Sequence, residues 1–234
     1  MNSLLEDFKK LRLKAQKLSF GTDSHDDLIA IAVSAHSHVL NLETRSLRSS
    51  VVGKSYFEFA REGRTSRAVN SGLFTKDGNL VESGLRRLLS GDSSDLSATE
   101  IDRALYTAAI SFCSVSDLLK RGDQKTPGTF FEYLCAPLLS AFFGVPPARS
   151  LEVLNLDMKT KLPTDFTFDL GTGKPKFHIP VKTSTRERII QVFAHQRVLD
   201  GVYGTGRFLG LPFILTETKK NLQTSEVTEI CIPE

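Results

Sequence analysis

The side chains best suited to chemistry lie in a predicted β-hairpin over residues 164–182, where two short apolar runs flank a Gly-Thr-Gly turn. Side chains alternate between the two faces of a strand. The phenylalanines of the run Thr-Asp-Phe-Thr-Phe-Asp therefore share one face, and Asp165 lies on the other. Lys182 ends the second strand. If the strands pair antiparallel, the aromatic face packs in the core and the opposite face holds carboxylates beside this lysine.

A carboxylate and a lysine on adjacent strands suit the hydrolysis of a phosphodiester. That reaction needs an activated water, neutralisation of charge on the phosphate, and help for the leaving oxygen. One or two Mg²⁺ ions held by carboxylates can supply these needs, with a lysine steadying the nucleophile or the phosphate. The pattern predicts these roles for Asp165 and Lys182. The alternative is a solvated cross-strand ion pair, which would contribute less than about 1 kcal/mol.

Two further carboxylates are candidates to act with Asp165. Asp169 shares a strand face with it, and Glu132 is predicted to lie on a helix that begins near Thr126 and runs to about Phe143. Glu132 could instead be an ordinary exposed helix residue. His178 also falls on the active face, where it could position water or be structural.

The helix predicted to follow the lysine begins with a basic run. Arg186 and Arg188 would lie in its first turn, where the helix dipole disfavours cations by about 0.3–1 kcal/mol each, so an anionic or acceptor-rich partner is expected there. The arginine fork matches guanine, and Glu187 could accept from cytosine, although Ser184 and Glu187 also fit a capping box. Further candidate DNA-binding side chains are Gln191, His195, Gln196 and Arg207.

The pattern of elements predicts an α/β protein with a helical N-terminal elaboration. Residues 1–122 read as mostly helix, including a short helix at Tyr56–Arg61 and a strong helix launched by a capping box at Ser97 and Glu100. Residues 123–234 read as the catalytic α/β core, with strands from Leu151 onward, a helix over Ser184–Leu199 and a buried strand over Phe208–Thr216. We expect a single nuclease domain over 1–234.

Composition excludes several classes of protein. The net charge of +3 only mildly favours polyanions. No apolar run approaches the roughly 18 residues of a membrane span, and the N-terminus has no signal-peptide pattern. The 3 cysteines are isolated, which predicts reduced thiols in a cytoplasm and no cysteine-based zinc site.

Residues from about Thr126 to Leu199 resemble the core of the PD-(D/E)xK nucleases. The resemblance rests on Pro163-Thr164-Asp165, the alternating strand that ends in Val181-Lys182, and the preceding helix with Glu132. It implies a mixed sheet flanked by helices, Mg²⁺ held by Asp165 and Glu132, and catalysis by these two residues with Lys182. There is one departure: Pro180 occupies the position, two before the lysine, where the family has its second acid. The resemblance makes Glu132 the first choice for the missing carboxylate, because the family often supplies one from this helix, and Asp169 is the second choice.

The Lys-Thr-Ser-Thr-Arg-Glu-Arg run and the later His-Gln-Arg resemble the SinI and AvaII group of type II restriction endonucleases. This implies Mg²⁺-dependent cleavage of double-stranded DNA at a short palindromic site that contains G:C pairs, with GGWCC as the target. Because the DNA site is two-fold symmetric, a homodimer is expected. No membrane partner is expected. Two alternatives remain open: a structure-specific repair or recombination nuclease, and a catalytically inactive DNA-binding module.

Overall fold

A computed structural model describes residues 2–17, 23–120, 122–123, 125–153, 160–184 and 189–229. The chain divides into two compact units: the first comprises Met1–Phe130 and Glu217–Glu234, and the second Phe131–Thr216. Within the described part of the chain, no helix has the length and apolar character to cross a membrane. The helices are α1 (Asn2–Lys17), α2 (Asp23–Leu40), α3 (Gly78–Ser90), α4 (Ala98–Leu119), α5 (Lys125–Phe143) and α6 (Ile189–Tyr203).

The strands are short and are distributed over both units. In the first unit they are β1 (Glu43–Ser49), β2 (Tyr56–Arg61), β3 (Arg64–Thr65), β4 (Val69–Asn70), β11 (Thr218–Lys220) and β12 (Glu226–Glu229). In the second unit they are β5 (Ala148–Glu152), β6 (Lys161–Asp169), β7 (Lys176–Ile179), β8 (Val181–Lys182), β9 (Phe208–Gly210) and β10 (Phe213–Ile214).

Helix α4 organises the core of the first unit, as the sequence predicts. The capping box is confirmed: the Ser97 side chain accepts from the Glu100 backbone N–H, and the Glu100 carboxylate accepts from the Ser97 N–H at 2.9 Å. These contacts satisfy donors that the first turn of a helix leaves without partners. Further along α4, Phe112 is fully buried and stacks on Phe130 with ring centroids 3.9 Å apart.

The helix predicted at Tyr56–Arg61 is wrong, because this segment is strand β2. It pairs antiparallel with β1, and its aromatic side chains pack together, with the Phe57 and Phe59 rings 5.2 Å apart. The C-terminal strand β12 adds to the other side of β1 in parallel. The predicted single nuclease domain over 1–234 stays a prediction; the described part of residues 1–122 contains four strands besides its helices.

A buried ion pair ties the C-terminal strands to this sheet. The Lys220 ammonium lies 2.5 Å from the Glu58 carboxylate and 3.1 Å from the Thr65 hydroxyl. It also donates to the backbone carbonyl of Ser66. The Lys220 and Glu58 side chains are only 10% and 7% exposed. An ammonium has three N–H donors, and these three acceptors match them.

We expect Lys220→Ala to lower the free energy of unfolding by about 3–5 kcal/mol, because it leaves the buried Glu58 charge without its cation. Chemical denaturation followed by circular dichroism measures this loss. Lys219→Ala is the matched control, since Lys219 is an exposed lysine on the same strand; we expect a change below about 0.5 kcal/mol. Equal effects of the two substitutions would contradict the structural role of Lys220.

The predicted hairpin forms the centre of the second unit. Strands β6 and β7 pair antiparallel, with Phe166 opposite Ile179 and Thr167 opposite His178. Phe166 and Phe168 are fully buried, as the alternation predicts. The sheet order is β5-β6-β7-β9, with β9 parallel to β7, and β10 pairs in parallel with β8. The buried strand predicted over Phe208–Thr216 is present as the two short strands β9 and β10, but the prediction of burial is wrong for most of it: Phe208 is buried, whereas Leu209 and Phe213 are exposed.

Candidate active site

Asp165 and Lys182 are in direct contact, on the shared face of adjacent strands where the sequence predicts them. The Lys182 Nζ lies 2.5 Å from Asp165 Oδ2, and the backbone N–H of Val181 donates to the same oxygen at 2.8 Å. The Asp165 and Lys182 side chains are 21% and 19% exposed. The carboxylate is therefore held by two donors and still reaches solvent.

The local strand geometry explains this contact. The β6–β7 ladder ends at the Phe166–Ile179 pair, so the next N–H directed towards β6, that of Val181, bonds the Asp165 side chain. Pro180 has no N–H and separates β7 from β8. Its carbonyl accepts from the Phe213 N–H at 2.8 Å, which keeps the strand aligned with β10 across the break. Lys182 is thus positioned by its backbone pairing and by Asp165.

Glu132 lies on α5, where charged side chains of the second unit act on its carboxylate. Its side chain is 29% exposed, and Oε2 lies 3.8 Å from an Arg149 guanidinium nitrogen. Burial raises the pKa of Glu132, the negative charge of Asp165 raises it further, and the charges of Arg149 and Lys182 lower it. Glu132 contacts Arg149, and Arg149 lies opposite the segment of β6 that contains Asp165. Glu132 is therefore in the same part of the second unit as the Asp165–Lys182 pair.

Asp169, the second candidate for the missing acid, lies elsewhere. Its carboxylate is paired with Lys176 at 2.6 Å and accepts the Gly171 N–H at 3.0 Å. It is four residues along β6 from Asp165, which corresponds to about 13 Å at the usual rise of a strand. Asp169 therefore closes the hairpin turn and does not lie beside Asp165.

Asp165 and Glu132 fit a hard divalent cation. Among the described residues there is no group of three or more His, Cys, Asp or Glu side chains that could hold a metal. Mg²⁺, however, is usually bound by one or two carboxylates, with waters and substrate phosphates completing its shell. A bound cation would offset the negative charge of Asp165, which adds to the effect of burial in raising the pKa of Glu132. The donor set is therefore suitable for Mg²⁺.

Two predicted DNA-binding residues of helix α6, His195 and Gln196, lie on its buried face. Val192 and Leu199 are buried, and His195 and Gln196 lie at the same helical spacing and are half-buried. The Gln196 amide nitrogen donates to Asp200 Oδ1 and to the Phe208 carbonyl, both at 3.0 Å. Gln196 thus has contacts within the second unit, and its predicted role at DNA stays a prediction.

Two of the other predicted DNA-binding side chains, Gln191 and Arg207, are exposed. Arg186, Glu187 and Arg188 lie outside the described residues. Their proposed roles, like those of Gln191 and Arg207, therefore stay predictions.

His178 is a buried neutral imidazole. Its side chain is fully buried, and within the described part of the chain neither ring nitrogen has a hydrogen-bond partner. Burial, followed by the nearby His195, lowers its pKa to about 4. The two rings are 5.6 Å apart. This environment favours a structural role over the positioning of a bulk water.

Sequence reasoning missed Arg149. Ala148 of β5 pairs with Thr167 of β6, and Ser150 pairs with Pro163. One residue of β5, Arg149, therefore lies opposite three residues of β6. This bulge in β6 includes Asp165 and lies opposite Arg149. Bulges of this kind often redirect side chains next to active sites. No local pattern in the sequence indicates this register shift.

Neither the protein-family models nor the curated protein sequences give a match to this chain. Among solved structures, the chain is similar to the type IIP restriction endonuclease Kpn2I. The TM-score is 0.79 and the sequence identity is 26%, over 99% of this chain and 81% of the Kpn2I chain. The match confirms the predicted mixed α/β restriction endonuclease fold and the prediction of an enzyme of the site-specific endonuclease class.

Proposed function

We propose that this chain is a Mg²⁺-dependent type II restriction endonuclease that hydrolyses both strands of double-stranded DNA at a short palindromic site. The observation that carries the proposal is the contact of Asp165 with Lys182, 2.5 Å apart on adjacent strands. The similarity of nearly the whole chain to a type IIP restriction endonuclease supports the same class of substrate. A cytoplasmic location, where restriction enzymes meet DNA, is part of the proposal.

The residues of the site divide the tasks of metal binding and of orienting the reacting groups. Asp165 and Glu132 would hold Mg²⁺, which when bound activates a water and neutralises charge on the reacting phosphate. Lys182 lies beside Asp165 and places its ammonium where it can orient the attacking water or a phosphate oxygen. The Val181 N–H fixes one oxygen of Asp165, so the carboxylate keeps its orientation while DNA binds. Glu132 supplies the second carboxylate that Pro180 cannot.

The recognition sequence is the finer part of the proposal. Arg186, Glu187 and Arg188 follow closely after Lys182 in the chain, so residues that read G:C pairs would lie near the scissile phosphate. The resemblance to the SinI and AvaII group favours GGWCC. Because a palindromic site presents two equivalent strands, a homodimer with one active site for each strand follows from symmetry.

We expect Arg186→Ala or Arg188→Ala to weaken binding to the cognate duplex far more than binding to a scrambled duplex. A bidentate arginine–guanine contact contributes about 1–3 kcal/mol of discrimination, and a symmetric dimer makes each contact twice. Titrations on both duplexes at two salt concentrations measure the effect. Equal losses on the two duplexes, with a reduced salt dependence, would assign these arginines to the phosphate backbone.

Digestion of a mixed-sequence plasmid with and without Mg²⁺ tests the proposed function. Discrete fragments that appear only with Mg²⁺ are the expected result. Nicking that follows DNA structure instead of sequence would indicate a repair or recombination nuclease. Retention of the plasmid without cutting, under conditions where the protein is folded, would indicate an inactive DNA-binding module.

A further inference from the structure

Two histidine rings lie close together between strand β7 and helix α6 in the second unit. His178 of β7 is fully buried, and neither of its ring nitrogens has a hydrogen-bond partner among the described residues. His195 of α6 is half-buried, and the two ring centroids are 5.6 Å apart. A buried polar group without a partner costs free energy. A bound group that uses these nitrogens would remove that cost.

A third polar atom without a partner belongs to Gln196, the next residue of α6. Its Oε1 is buried and, within the part of the chain that the structure describes, has no hydrogen-bond partner. Its Nε2 donates to Asp200 Oδ1 and to the Phe208 carbonyl, both at 3.0 Å. Because these two acceptors require the nitrogen of the amide, they fix the orientation of the group and leave its oxygen on the other side.

The strand register places this oxygen on the same side of the sheet as the His178 ring. A Cβ atom at Gly210 would lie 2.6 Å from Gln196 Oε1, so the oxygen lies over the face to which a side chain at this position would point. Gly210 pairs with His178 in the parallel β7–β9 ladder. Partners in register direct their side chains to one face of a sheet. The His178 ring and Gln196 Oε1 therefore both lie between the sheet and α6, where the His195 ring also lies.

Two imidazoles and an amide oxygen are suitable ligands for a divalent transition metal. Zn²⁺ binds histidine nitrogens at about 2.0–2.1 Å, and because each ring centre lies about 1.1 Å behind the nitrogen, two histidines that share the ion have ring centres roughly 5–6 Å apart. The 5.6 Å between the rings of His178 and His195 matches this separation. Mg²⁺, by contrast, prefers oxygen ligands from carboxylates, phosphates and water.

We propose that His178, His195 and the side-chain oxygen of Gln196 bind a transition-metal ion such as Zn²⁺, which joins strand β7 to helix α6. Three protein ligands and a water form a common coordination of zinc, and the half-buried His195 gives water access to the fourth position. The site has nitrogen ligands, whereas the proposed Mg²⁺ site has the carboxylates of Asp165 and Glu132. Zinc binding is measured without DNA, so this proposal and the proposed function can fail separately.

Equilibrium dialysis of the whole chain against Zn²⁺ in excess Mg²⁺ tests the proposal, since Mg²⁺ competes for carboxylates and not for imidazoles. We expect wild type to retain about one Zn²⁺ per chain. His195→Ala should weaken this binding by at least about 10–100-fold, the loss that follows even from removal of an outer-shell partner of a metal. His38→Ala is the matched control: His38 is also a half-buried helical histidine, and its ring bonds the Ser34 carbonyl of its own helix at 2.8 Å. Its zinc binding should equal that of wild type.

Thermal unfolding followed by circular dichroism gives a second readout and checks the fold of each variant. An ion that binds only the folded chain raises the unfolding temperature, so Zn²⁺ should stabilise wild type by several degrees and His195→Ala by much less. His178→Leu keeps a side chain of similar volume in the core and should also lose the effect of zinc. Without zinc, this variant should unfold at or above the temperature of wild type, because the substitution removes a buried polar ring that has no partner.

Three results would overturn the proposal: no Zn²⁺ retained by wild type in excess Mg²⁺, equal retention by wild type and His195→Ala, or loss of Zn²⁺ in Asp165→Ala with retention in His195→Ala. The first would leave the two rings as ordinary core histidines. The last would show that the zinc occupies the carboxylates of the proposed active site instead.

Discussion

Lys182→Ala is expected to lower the rate of DNA cleavage by about 10²–10³-fold or more while specific DNA binding is retained. The Lys182 ammonium is in contact with Asp165 and reaches the solvent-accessible side of the site, so its removal deletes the charge that orients the reacting groups. Asp165→Ala should cause the same loss and should also abolish the enhancement of DNA binding by Mg²⁺. Single-turnover cleavage and binding titrations on one duplex measure both effects.

Lys176→Ala is the matched control for Lys182. Lys176 also pairs with an aspartate across the hairpin, at 2.6 Å from Asp169, but at the turn end of the sheet. We expect it to cut at close to the wild-type rate. Near-normal cleavage by Lys182→Ala or Asp165→Ala would contradict the assignment of the active site, whatever the behaviour of the control.

Glu132→Gln is expected to need a far higher Mg²⁺ concentration for cleavage, or to fail to cut, while it folds normally. Glu132 is the proposed second metal ligand, and the negative charge of Asp165 contributes to its raised pKa. Pro180 cannot supply a metal ligand from the hairpin. Glutamine keeps the size of the side chain but removes the charge that a hard cation requires. Cleavage rates over a Mg²⁺ titration measure the shift.

Asp169→Asn is the companion variant for Glu132→Gln. The structure places Asp169 in an exposed pair with Lys176 at the hairpin turn, so we expect an unchanged Mg²⁺ requirement. The opposite outcome, with Glu132→Gln like wild type and Asp169→Asn impaired, would show that the hairpin supplies the second carboxylate and that the assignment of Glu132 is wrong.

The hairpin could be predicted from the sequence because its signals are local. Alternation of side chains along β6 places Phe166 and Phe168 in the core and Asp165 on the opposite face, and the structure has both phenylalanines fully buried. The same alternation places Lys182 on the side of Asp165. The role of Glu132 has no such local signal: it follows from the family resemblance, in which the helix before the hairpin supplies a carboxylate, and it stays a prediction.

Strand β2 could not be predicted in the same way. Its segment is rich in aromatic residues, which are enriched in strands, but it also contains Glu58, a charged residue that is rarely buried unless it is paired. In the structure Glu58 is buried because Lys220, 162 residues later in the chain, neutralises it. A pairing over that distance leaves no local pattern, so the sequence alone favoured the wrong element.

Arg149 and Gln196 illustrate two further limits. The place of Arg149 depends on a register shift between β5 and β6, which no short motif records. Gln196, by contrast, had a usable signal: with Val192 and Leu199 it falls at the spacing of one helix face, and that face is the buried one. Because the helix begins with a basic run, the sequence analysis assigns DNA binding to residues along its whole length, including Gln196.

Sequencing of the ends produced by plasmid digestion tests the central claim most directly. We predict that wild-type protein with Mg²⁺ yields ends that all derive from one short palindromic sequence, cut at a single position in each strand, and that Lys182→Ala yields none above background. Ends scattered over unrelated sequences, or the same set of ends from Lys182→Ala, would contradict the account of a site-specific endonuclease that acts through this residue.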